Sequence, residues 1–396
     1  MKLSTKISAL TPSPTVALNS RANELRSSGI NVLNFAVGEP DFPTPEEITC
    51  RAIQALNAGK TKYGPAGGGL PFRQAICRKL LEENKMEYRP EQIVCGIGAK
   101  EILFHVMLSI LNEGDEVLLP APCWVSYKEH IKAAGAIPII IPPNDDGRAS
   151  ITPKTLEKYS TPKTTAIIIC SPSNPTGSIL STEELENLGQ YLKTKNWWIV
   201  SDEIYEYLSF DQKHESIAKV TPELKEKTIL VNGMSKGFAM TGWRVGYCAA
   251  PESVAKLVKR LQSHSSTCIP PFIEEAATWA IDQGASLMKH EVEKMDQRRK
   301  LALSCIDKIP NLSYLKPEGA FYLFIDVKKA LAASKEFSAT DSLGFCEYLL
   351  DKFHVAVVPG EAFDAPGFFR LSYAVSDETI IEGAKRISAA IDALTT

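Results

Sequence analysis

The chain has 396 residues, of which 44% are hydrophobic and 23% charged, and this composition is typical of a globular protein with about two domains. Its net charge of −3 provides no general attraction to nucleic acid or to anionic lipid. No apolar run approaches the roughly 20 residues that a membrane-spanning helix needs. We therefore expect neither nucleic acid nor a membrane among the partners of this protein.

The first residues lack the apolar stretch of a secretory signal, so we expect a cytoplasmic protein. The nine cysteines form no CxxC pair and mostly lie in apolar stretches, which is typical of free, buried thiols in a reducing compartment. The six histidines are scattered without the spacing of metal ligands, and we expect no metal site.

In chain order, the first predicted element is a helix at Ala17–Ser27, within a segment rich in serine, proline and threonine. From about residue 92 to residue 251, short apolar runs then alternate with helical patterns such as Lys100–Leu111 and Thr182–Lys193. Several of these runs are β-branched throughout, which indicates strands that are buried on both faces of a mostly parallel sheet. The predicted strands are Ile93–Gly96, Glu116–Leu119, Ile137–Ile141, Ala166–Cys170, Trp197–Ser201, Thr228–Val231 and Val245–Ala249.

The pattern changes beyond about Pro271. A long amphipathic helical region runs to Ile306, and it is followed by a predicted strand, helix, strand and final helix at Gly319–Asp326, Asp341–Phe353, Val355–Val358 and Asp377–Leu394. Alternating strands and helices predict an α/β fold with a large, mostly parallel-sheet domain, here over residues 46–285. We expect a smaller α+β domain over residues 286–396, with residues 1–45 packed against it.

Lys236 is the first candidate for chemistry. It follows the predicted strand Thr228–Val231 in a glycine-rich segment, and Arg244 lies eight residues further on. A buried amine beside positive charge has a lowered pKa and attacks aldehydes, whereas a guanidinium suits a phosphate. An aldehyde and a phosphate on one molecule indicate pyridoxal 5'-phosphate. The alternative is a structural lysine on a glycine-rich loop.

The ends of the other predicted strands strengthen this interpretation, because ligands of open α/β sheets bind beyond the carboxyl ends of the strands. Each strand end offers a side chain or backbone that suits one part of the cofactor: Gly98, Ala99 and Lys100 for the phosphate, Trp124 for stacking on the ring, Tyr205 for the phenolic oxygen, and Asp202 for the ring nitrogen. Asn174 adds an amide whose direction is fixed by the prolines on both sides of it. Taken singly, these residues would be turn formers, core aromatics or helix caps.

The first of these strand ends also resembles a GxGxxG fingerprint. The match is partial, since Glu101 stands where the third glycine belongs, and we expect no nicotinamide cofactor.

With these residues, the chain resembles the fold-type I pyridoxal-phosphate enzymes, and it is most similar to the bacterial-type (Ib) aspartate aminotransferase branch of the class I aminotransferases. The similarity covers nearly the whole chain, from about residue 12 to residue 374. The motifs that carry it are Gly38-Glu-Pro-Asp-Phe42, Thr61-Lys-Tyr63, Ser171–Gly177, Ser201–Tyr205 and Ser235-Lys236 with Gly242-Trp-Arg244.

Carried over by position, the resemblance implies that Lys236 binds the cofactor covalently and moves the substrate proton, with Asp202 and Tyr205 as the other catalytic residues. The further cofactor contacts that it implies are Gly98, Ala99, Lys100, Trp124, Asn174, Ser235, Arg244 and, across a homodimer interface, Tyr63. The substrate contacts that it implies are Gly38, Trp124, Asn174, Arg370, Lys100 and Thr15. One position departs from the pattern, because Gly233 stands where many relatives carry a hydroxyl that bonds the phosphate.

The implied activity is a ping-pong transfer of the amino group of aspartate, or of another amino acid, to 2-oxoglutarate. Lys100 and Thr15 match the family positions associated with an acidic substrate. Prephenate with glutamate, or an aromatic amino acid, is the alternative, although Thr11 stands where prephenate-using relatives often carry a basic residue. A pyridoxal-phosphate β-C–S lyase and a non-catalytic binding protein on the same fold are two other classes that stay open.

Overall fold

The computed structural model describes residues 2–12, 14–334 and 337–395. Its strands are β1 (Leu33–Asn34), β2 (Ile93–Ile97), β3 (Glu116–Pro120), β4 (Ile137–Ile141), β5 (Thr164–Cys170), β6 (Trp198–Asp202), β7 (Thr228–Gly233), β8 (Val245–Ala249), β9 (Ser313–Tyr314), β10 (Tyr322–Asp326), β11 (Val355–Ala356), β12 (Val358–Pro359) and β13 (Phe368–Ser372).

Its α-helices are α1 (Thr5–Ser8), α2 (Pro14–Ser27), α3 (Glu46–Asn57), α4 (Leu70–Glu82), α5 (Gly98–Ile110), α6 (Val125–Ala133), α7 (Pro153–Tyr159), α8 (Thr182–Lys193), α9 (Ile217–Val220), α10 (Glu252–Ser263), α11 (Pro271–Gln283), α12 (Lys289–Ile306), α13 (Lys328–Ala332), α14 (Ser342–Phe353) and α15 (Asp377–Thr395). Within the described residues, no helix is long and apolar enough to cross a membrane.

The central element is a seven-stranded sheet with the order β2-β8-β7-β6-β5-β3-β4. Strand β8 pairs antiparallel with both of its neighbours, and the remaining pairs are parallel. The seven predicted strands are confirmed and lie in this one sheet, with ends that differ from the prediction by at most two residues. The α/β, mostly parallel fold class is confirmed with them.

Both faces of this sheet are covered by helices, which explains the continuous apolar runs. In β5, Ile168 packs with the cluster that includes α5 and α10, whereas its neighbours Ile167 and Ile169 pack with the cluster that includes α8. Since successive strand residues point to opposite faces, a strand buried on both sides needs an apolar residue at every position.

A second, four-stranded sheet has the order β12-β13-β10-β9 and is antiparallel. The predicted strand Gly319–Asp326 begins later, at Tyr322. The predicted strand Val355–Val358 was wrong as one element, because it is divided between two sheets. Its first half pairs with β1, whereas its second half pairs with β13.

The pairing of β1 with β11 fastens the N-terminal segment to the C-terminal part of the chain. The long helical region predicted from Pro271 to Ile306 consists of two helices, α11 and α12, separated by a 3₁₀ turn at Gly284–Met288. Together these elements set β10 and β13 opposite the carboxyl ends of the large sheet, with the candidate site between them.

Candidate active site

A cavity of about 580 Å³ lies between the strand ends of the large sheet and the second sheet. Twelve of the residues predicted from sequence line it together: Thr15, Gly38, Ala99, Lys100, Trp124, Asn174, Asp202, Tyr205, Ser235, Lys236, Arg244 and Arg370. The residues that follow strands of the large sheet meet here because the carboxyl ends of parallel strands share one edge of the sheet. Thr15 and Gly38 come from the N-terminal segment and Arg370 from β13.

Two predicted residues do not line this cavity. Gly98 lies directly behind the guanidinium of Arg244. Tyr63 lies on the surface with a relative exposure of 90%, and it is not among the residues that line the cavity of this single chain.

Lys236 follows β7, and its Nζ donates a 2.6 Å hydrogen bond to the carbonyl oxygen of Gly38. Burial lowers the pKa of Lys236 from 10.5 to about 8; Glu39 opposes this change, while the positive charges of Arg370 and Arg244 reinforce it. An amine with this pKa is partly uncharged near neutral pH, so it can act as a nucleophile and as a base.

Asp202 is the last residue of β6 and is buried. Its Oδ2 accepts a 2.6 Å hydrogen bond from the Tyr127 hydroxyl, and its Oδ1 accepts one of 3.2 Å from the backbone N–H of Ile204. Burial raises the pKa of Asp202 to about 6, although these two hydrogen bonds act against the rise. The carboxylate therefore suits a cation in the cavity, such as a protonated ring nitrogen.

Arg370 on β13 is buried and is held by two acceptors. Its Nη1 donates to Oδ1 of Asn174 and its Nη2 to the carbonyl oxygen of Ala36, each at 2.9 Å. Its Nε has no hydrogen-bond partner among the described residues. A buried guanidinium with a donor left over suits a carboxylate ligand.

The N-terminus of α5 and Arg244 form the anion-binding end of the cavity. Gly98, the first residue of α5, has φ +82°, and an added Cβ would lie 2.6 Å from Nη2 of Arg244. A helix N-terminus with a guanidinium beside it suits a phosphate. Ala99, the second residue of α5, and Ser235 also line the cavity.

Gly233, which stands where many relatives carry a hydroxyl residue, has no space for a side chain. An added Cβ would lie 2.7 Å from the carbonyl oxygen of Val245 and 2.9 Å from Cα of Gly246, both backbone atoms of β8. No hydroxyl side chain fits there without moving the sheet. Ser235, which directly precedes Lys236 in the sequence, carries a hydroxyl and lines the cavity.

Lys100 and Trp124 form one wall of the cavity. Nζ of Lys100 lies 5.0 Å from the centroid of the Trp124 ring, which is within the range of a cation–π contact. Burial lowers the pKa of Lys100, and the charge of Arg244 adds to this effect. Lys100 therefore lines the cavity, although its side chain is also exposed to solvent in this single chain.

Sequence reasoning missed two tyrosines that line the cavity, Tyr127 and Tyr322. Tyr127 stands three residues after Trp124, at the start of α6, and that spacing could have indicated a shared face. Tyr322 begins β10, and no local pattern distinguishes it from the other aromatic residues of that strand. Its hydroxyl lies 2.9 Å from that of Tyr205.

Taken together, the cavity fits pyridoxal phosphate. It offers a partly uncharged amine for the aldehyde, a buried carboxylate for the ring nitrogen, and a helix N-terminus with an arginine for the phosphate. In the described part of the chain, no group of three or more histidine, cysteine or acidic residues could hold a metal ion.

The comparisons with known proteins agree with this geometry. The family model described as "Aminotransferase class I and II" matches residues 30–387. The chain is 43% identical over 395 residues to the "Probable aspartate/prephenate aminotransferase" of Aquifex aeolicus, and 40% identical over 388 residues to the "Aspartate aminotransferase" of Geobacillus stearothermophilus. Each alignment covers 98% of both chains.

The crystal structure of the aspartate aminotransferase from Rhizobium meliloti superposes with a TM-score of 0.94, at 34% identity and 99% coverage of both chains. The aspartate aminotransferase from Thermus thermophilus with maleate superposes with a TM-score of 0.92, at 36% identity, covering 98% of this chain and all of that one. These matches confirm the resemblance stated from the motifs: the chain belongs to the class I and II aminotransferase family, and it is a pyridoxal-phosphate-dependent aminotransferase of fold type I.

Proposed function

We propose that this aminotransferase moves the amino group of aspartate to 2-oxoglutarate by a ping-pong mechanism. The observation that carries the proposal is that two cationic side chains, Lys100 and Arg370, line the same cavity as Lys236. Two separate positive charges suit a substrate with two carboxylates. The relatives named aspartate aminotransferase support this assignment, as does the Thermus thermophilus structure with maleate, which is a dicarboxylate.

Pyridoxal phosphate, when bound, supplies an aldehyde that captures the substrate amine and a ring that withdraws electrons from the substrate Cα. With the cofactor bound, Lys236 would act through Nζ, which would take the proton from the substrate Cα, hold it and return it later in the transfer of the amino group. Its pKa of about 8 places both of its protonation states within reach near neutral pH.

Asp202 keeps the ring nitrogen protonated, because the buried carboxylate is stabilised by a positive neighbour. Tyr127 holds that carboxylate in place. Asn174 and Tyr205 donate hydrogen bonds to the phenolic oxygen: Oδ1 of Asn174 already accepts from Arg370, so Nδ2 is its remaining donor. Trp124 covers the ring by stacking.

Arg244, the first residues of α5 and Ser235 bind the phosphate in this proposal. Arg370 binds the carboxylate that every amino-acid substrate shares, with the Gly38 backbone beside it. Lys100 binds the distal carboxylate of aspartate, and Thr15, which also lines the cavity, adds a hydrogen bond.

Transamination of prephenate with glutamate is the second candidate, and it is favoured by the name of the Aquifex aeolicus relative. Thr11 is neutral, and its backbone N–H donates to the Glu129 carboxylate. That position therefore adds no positive charge for a larger dicarboxylate. A β-C–S lyase would instead release pyruvate and ammonia from a sulfur amino acid without an oxo-acid acceptor.

We further propose a cytoplasmic homodimer in which Tyr63 reaches the phosphate of the partner site. The 90% exposure of Tyr63, which belongs to a motif of the site, supports the dimer. The nine free cysteines support a reducing compartment such as the cytoplasm.

We also propose the domain limits 1–45, 46–285 and 286–396, since the large sheet ends at Ala249 and the second sheet begins at Ser313.

The test is a half-reaction screen of the purified holoenzyme with aspartate, glutamate, arogenate, tyrosine and cysteine, without an oxo acid. Among these amino acids, aspartate should have the highest second-order rate constant for converting the absorption spectrum of the enzyme to that of pyridoxamine phosphate. Faster conversion by arogenate or tyrosine would reject aspartate as the preferred donor. Steady release of pyruvate and ammonia from cysteine would indicate a lyase.

A further inference from the structure

Tyr322 contacts two residues of the candidate site, Tyr205 and Arg370. It begins β10, its side chain is buried, and it lines the cavity. Its hydroxyl oxygen lies 2.9 Å from the hydroxyl oxygen of Tyr205, which comes from the large-sheet side of the cavity. Its ring centroid lies 4.4 Å from the central guanidinium carbon of Arg370.

The second sheet fixes the relation between Tyr322 and Arg370. In the antiparallel pairing of β10 with β13, Tyr322 is opposite Ser372 and Phe324 is opposite Arg370. Tyr322 and Arg370 are therefore diagonal neighbours on one face, close enough for an aromatic ring to cover a long side chain. Phe363 covers the guanidinium as well, at 5.2 Å from its ring centroid.

The hydroxyl groups of Tyr205 and Tyr322 have one hydrogen left over after they bond to each other. Two phenols carry two hydrogens, and the bond between Tyr205 and Tyr322 uses one of them. If Tyr322 donates, the hydrogen of Tyr205 stays available for an acceptor in the cavity. A hydroxyl that accepts one hydrogen bond becomes a better donor in the next, so this order strengthens the donation by Tyr205.

We propose that Tyr322 is a positioning residue with two targets: its hydroxyl orients Tyr205, and its ring orients Arg370. This inference rests on the proposed roles of Tyr205 toward the cofactor's phenolic oxygen and of Arg370 toward the substrate carboxylate. The sequence did not indicate that Tyr322 contacts Tyr205, because the two residues are 117 positions apart.

Two substitutions separate the two contacts. Tyr322→Phe keeps the ring and removes the hydroxyl, whereas Tyr322→Leu removes both. Tyr373→Phe is the matched control: Tyr373 is also buried and next to the second sheet, its hydroxyl donates to the carbonyl oxygen of Ala320, and it does not line the cavity.

The first readout is the pH titration of the visible absorption of each holoenzyme without substrate. Weaker donation by Tyr205 to the phenolic oxygen favours the protonated chromophore. The titration midpoint of Tyr322→Phe should therefore rise by about 0.4 to 1 unit, the equivalent of one hydrogen bond between neutral groups. Tyr322→Leu should show a rise of the same size, and Tyr373→Phe should match the wild type.

The second readout is the KM for any amino acid that converts the enzyme. Loss of the ring over Arg370 should raise KM by about 3- to 30-fold in Tyr322→Leu relative to Tyr322→Phe, the range of a desolvated cation–π contact. A Tyr322→Phe titration that coincides with the wild type, or a KM in Tyr322→Leu within about twofold of that in Tyr322→Phe, overturns the proposal.

The test is independent of the preferred substrate. The spectral titration needs only the bound cofactor, and KM can be measured with whichever amino acid the half-reaction screen identifies. If aspartate proves not to be the donor, the proposed substrate fails, while the titration and the KM comparison still decide the role of Tyr322.

Discussion

The Tyr127 hydroxyl donates a 2.6 Å hydrogen bond to Oδ2 of Asp202, and both side chains are buried. The two residues are 75 positions apart and come from α6 and β6. This bond fixes the carboxylate that faces the cavity. It also opposes the rise in the Asp202 pKa that burial causes, and thereby keeps more of the carboxylate ionised near neutral pH.

Asp202→Asn should change how stability depends on pH. Burial raises the pKa of Asp202 from 3.8 to about 6. A carboxyl group whose pKa is raised by folding stabilises the folded state below its unfolded-state pKa, and that contribution disappears as the pH rises through about 6. Without cofactor, the wild type should lose about 3 kcal/mol of unfolding free energy relative to Asp202→Asn between about pH 4 and pH 7.

Urea unfolding of the two cofactor-free proteins across this pH range measures the difference. Tyr127→Phe should enlarge the loss, because the carboxylate loses a donor. Saturating pyridoxal phosphate should reduce it, since a positive ring nitrogen stabilises the ionised form. Parallel curves of stability against pH for the wild type and Asp202→Asn would contradict the prediction.

Lys236→Ala should lower turnover by at least about 10³-fold, because the chain loses both its nucleophilic amine and its proton carrier. The variant should still bind the cofactor noncovalently through the phosphate and ring contacts. Borohydride should attach the cofactor to the wild-type chain and to Lys300→Ala, an exposed-lysine control on α12, and not to Lys236→Ala. Mass spectrometry of the intact chain detects the attachment, and normal turnover of Lys236→Ala would reject Lys236 as the catalytic amine.

Lys100→Ala should alter substrate choice more than overall activity. Removing one charged partner of the distal carboxylate should lower kcat/KM for aspartate by about 10- to 100-fold, and for a neutral amino acid by less than about threefold. Arg370→Lys is the comparison, since it loses the two-pronged contact with the carboxylate that both substrates share, and it should weaken them alike. An equal loss for both substrates in Lys100→Ala would remove Lys100 as the selector.

Gly98→Ala should weaken cofactor binding for a steric reason. The added Cβ would lie 2.6 Å from Nη2 of Arg244 and displace the guanidinium from the phosphate end of the cavity. Gly114→Ala is a matched control: Gly114 has φ +83° against +82° for Gly98, and its added Cβ would meet nothing within 4 Å. Both variants should lose about 1 kcal/mol of stability from the left-handed backbone.

Titration of the cofactor-free proteins with pyridoxal phosphate separates the two effects. The dissociation constant should rise about tenfold or more in Gly98→Ala, the loss expected when a charge-assisted hydrogen bond is displaced. It should stay within about twofold of the wild type in Gly114→Ala. Similar constants for the two variants would show that Arg244 does not depend on the space at Gly98.

The sequence by itself determined the type and order of the main elements. Continuous β-branched runs identified the seven strands of the large sheet, because burial on both faces requires an apolar residue at each position. The same local patterns placed Lys236, Asp202 and Asn174 at strand ends, and the fold then necessarily gathers them at one edge of the sheet. The family motifs supplied Arg370 and Gly38, which no periodicity marks.

Only the tertiary structure decided which side chains act on those residues. It divided the predicted strand at Val355–Val358 between two sheets, and it brought Tyr127 to Asp202 and Tyr322 to Tyr205 and Arg370. The physical reason is that a hydrogen bond or a ring contact depends on distance and direction within a few tenths of an ångström. Hydrophobic periodicity records which face of an element is buried, and it carries no information about the partner that the other element presents there.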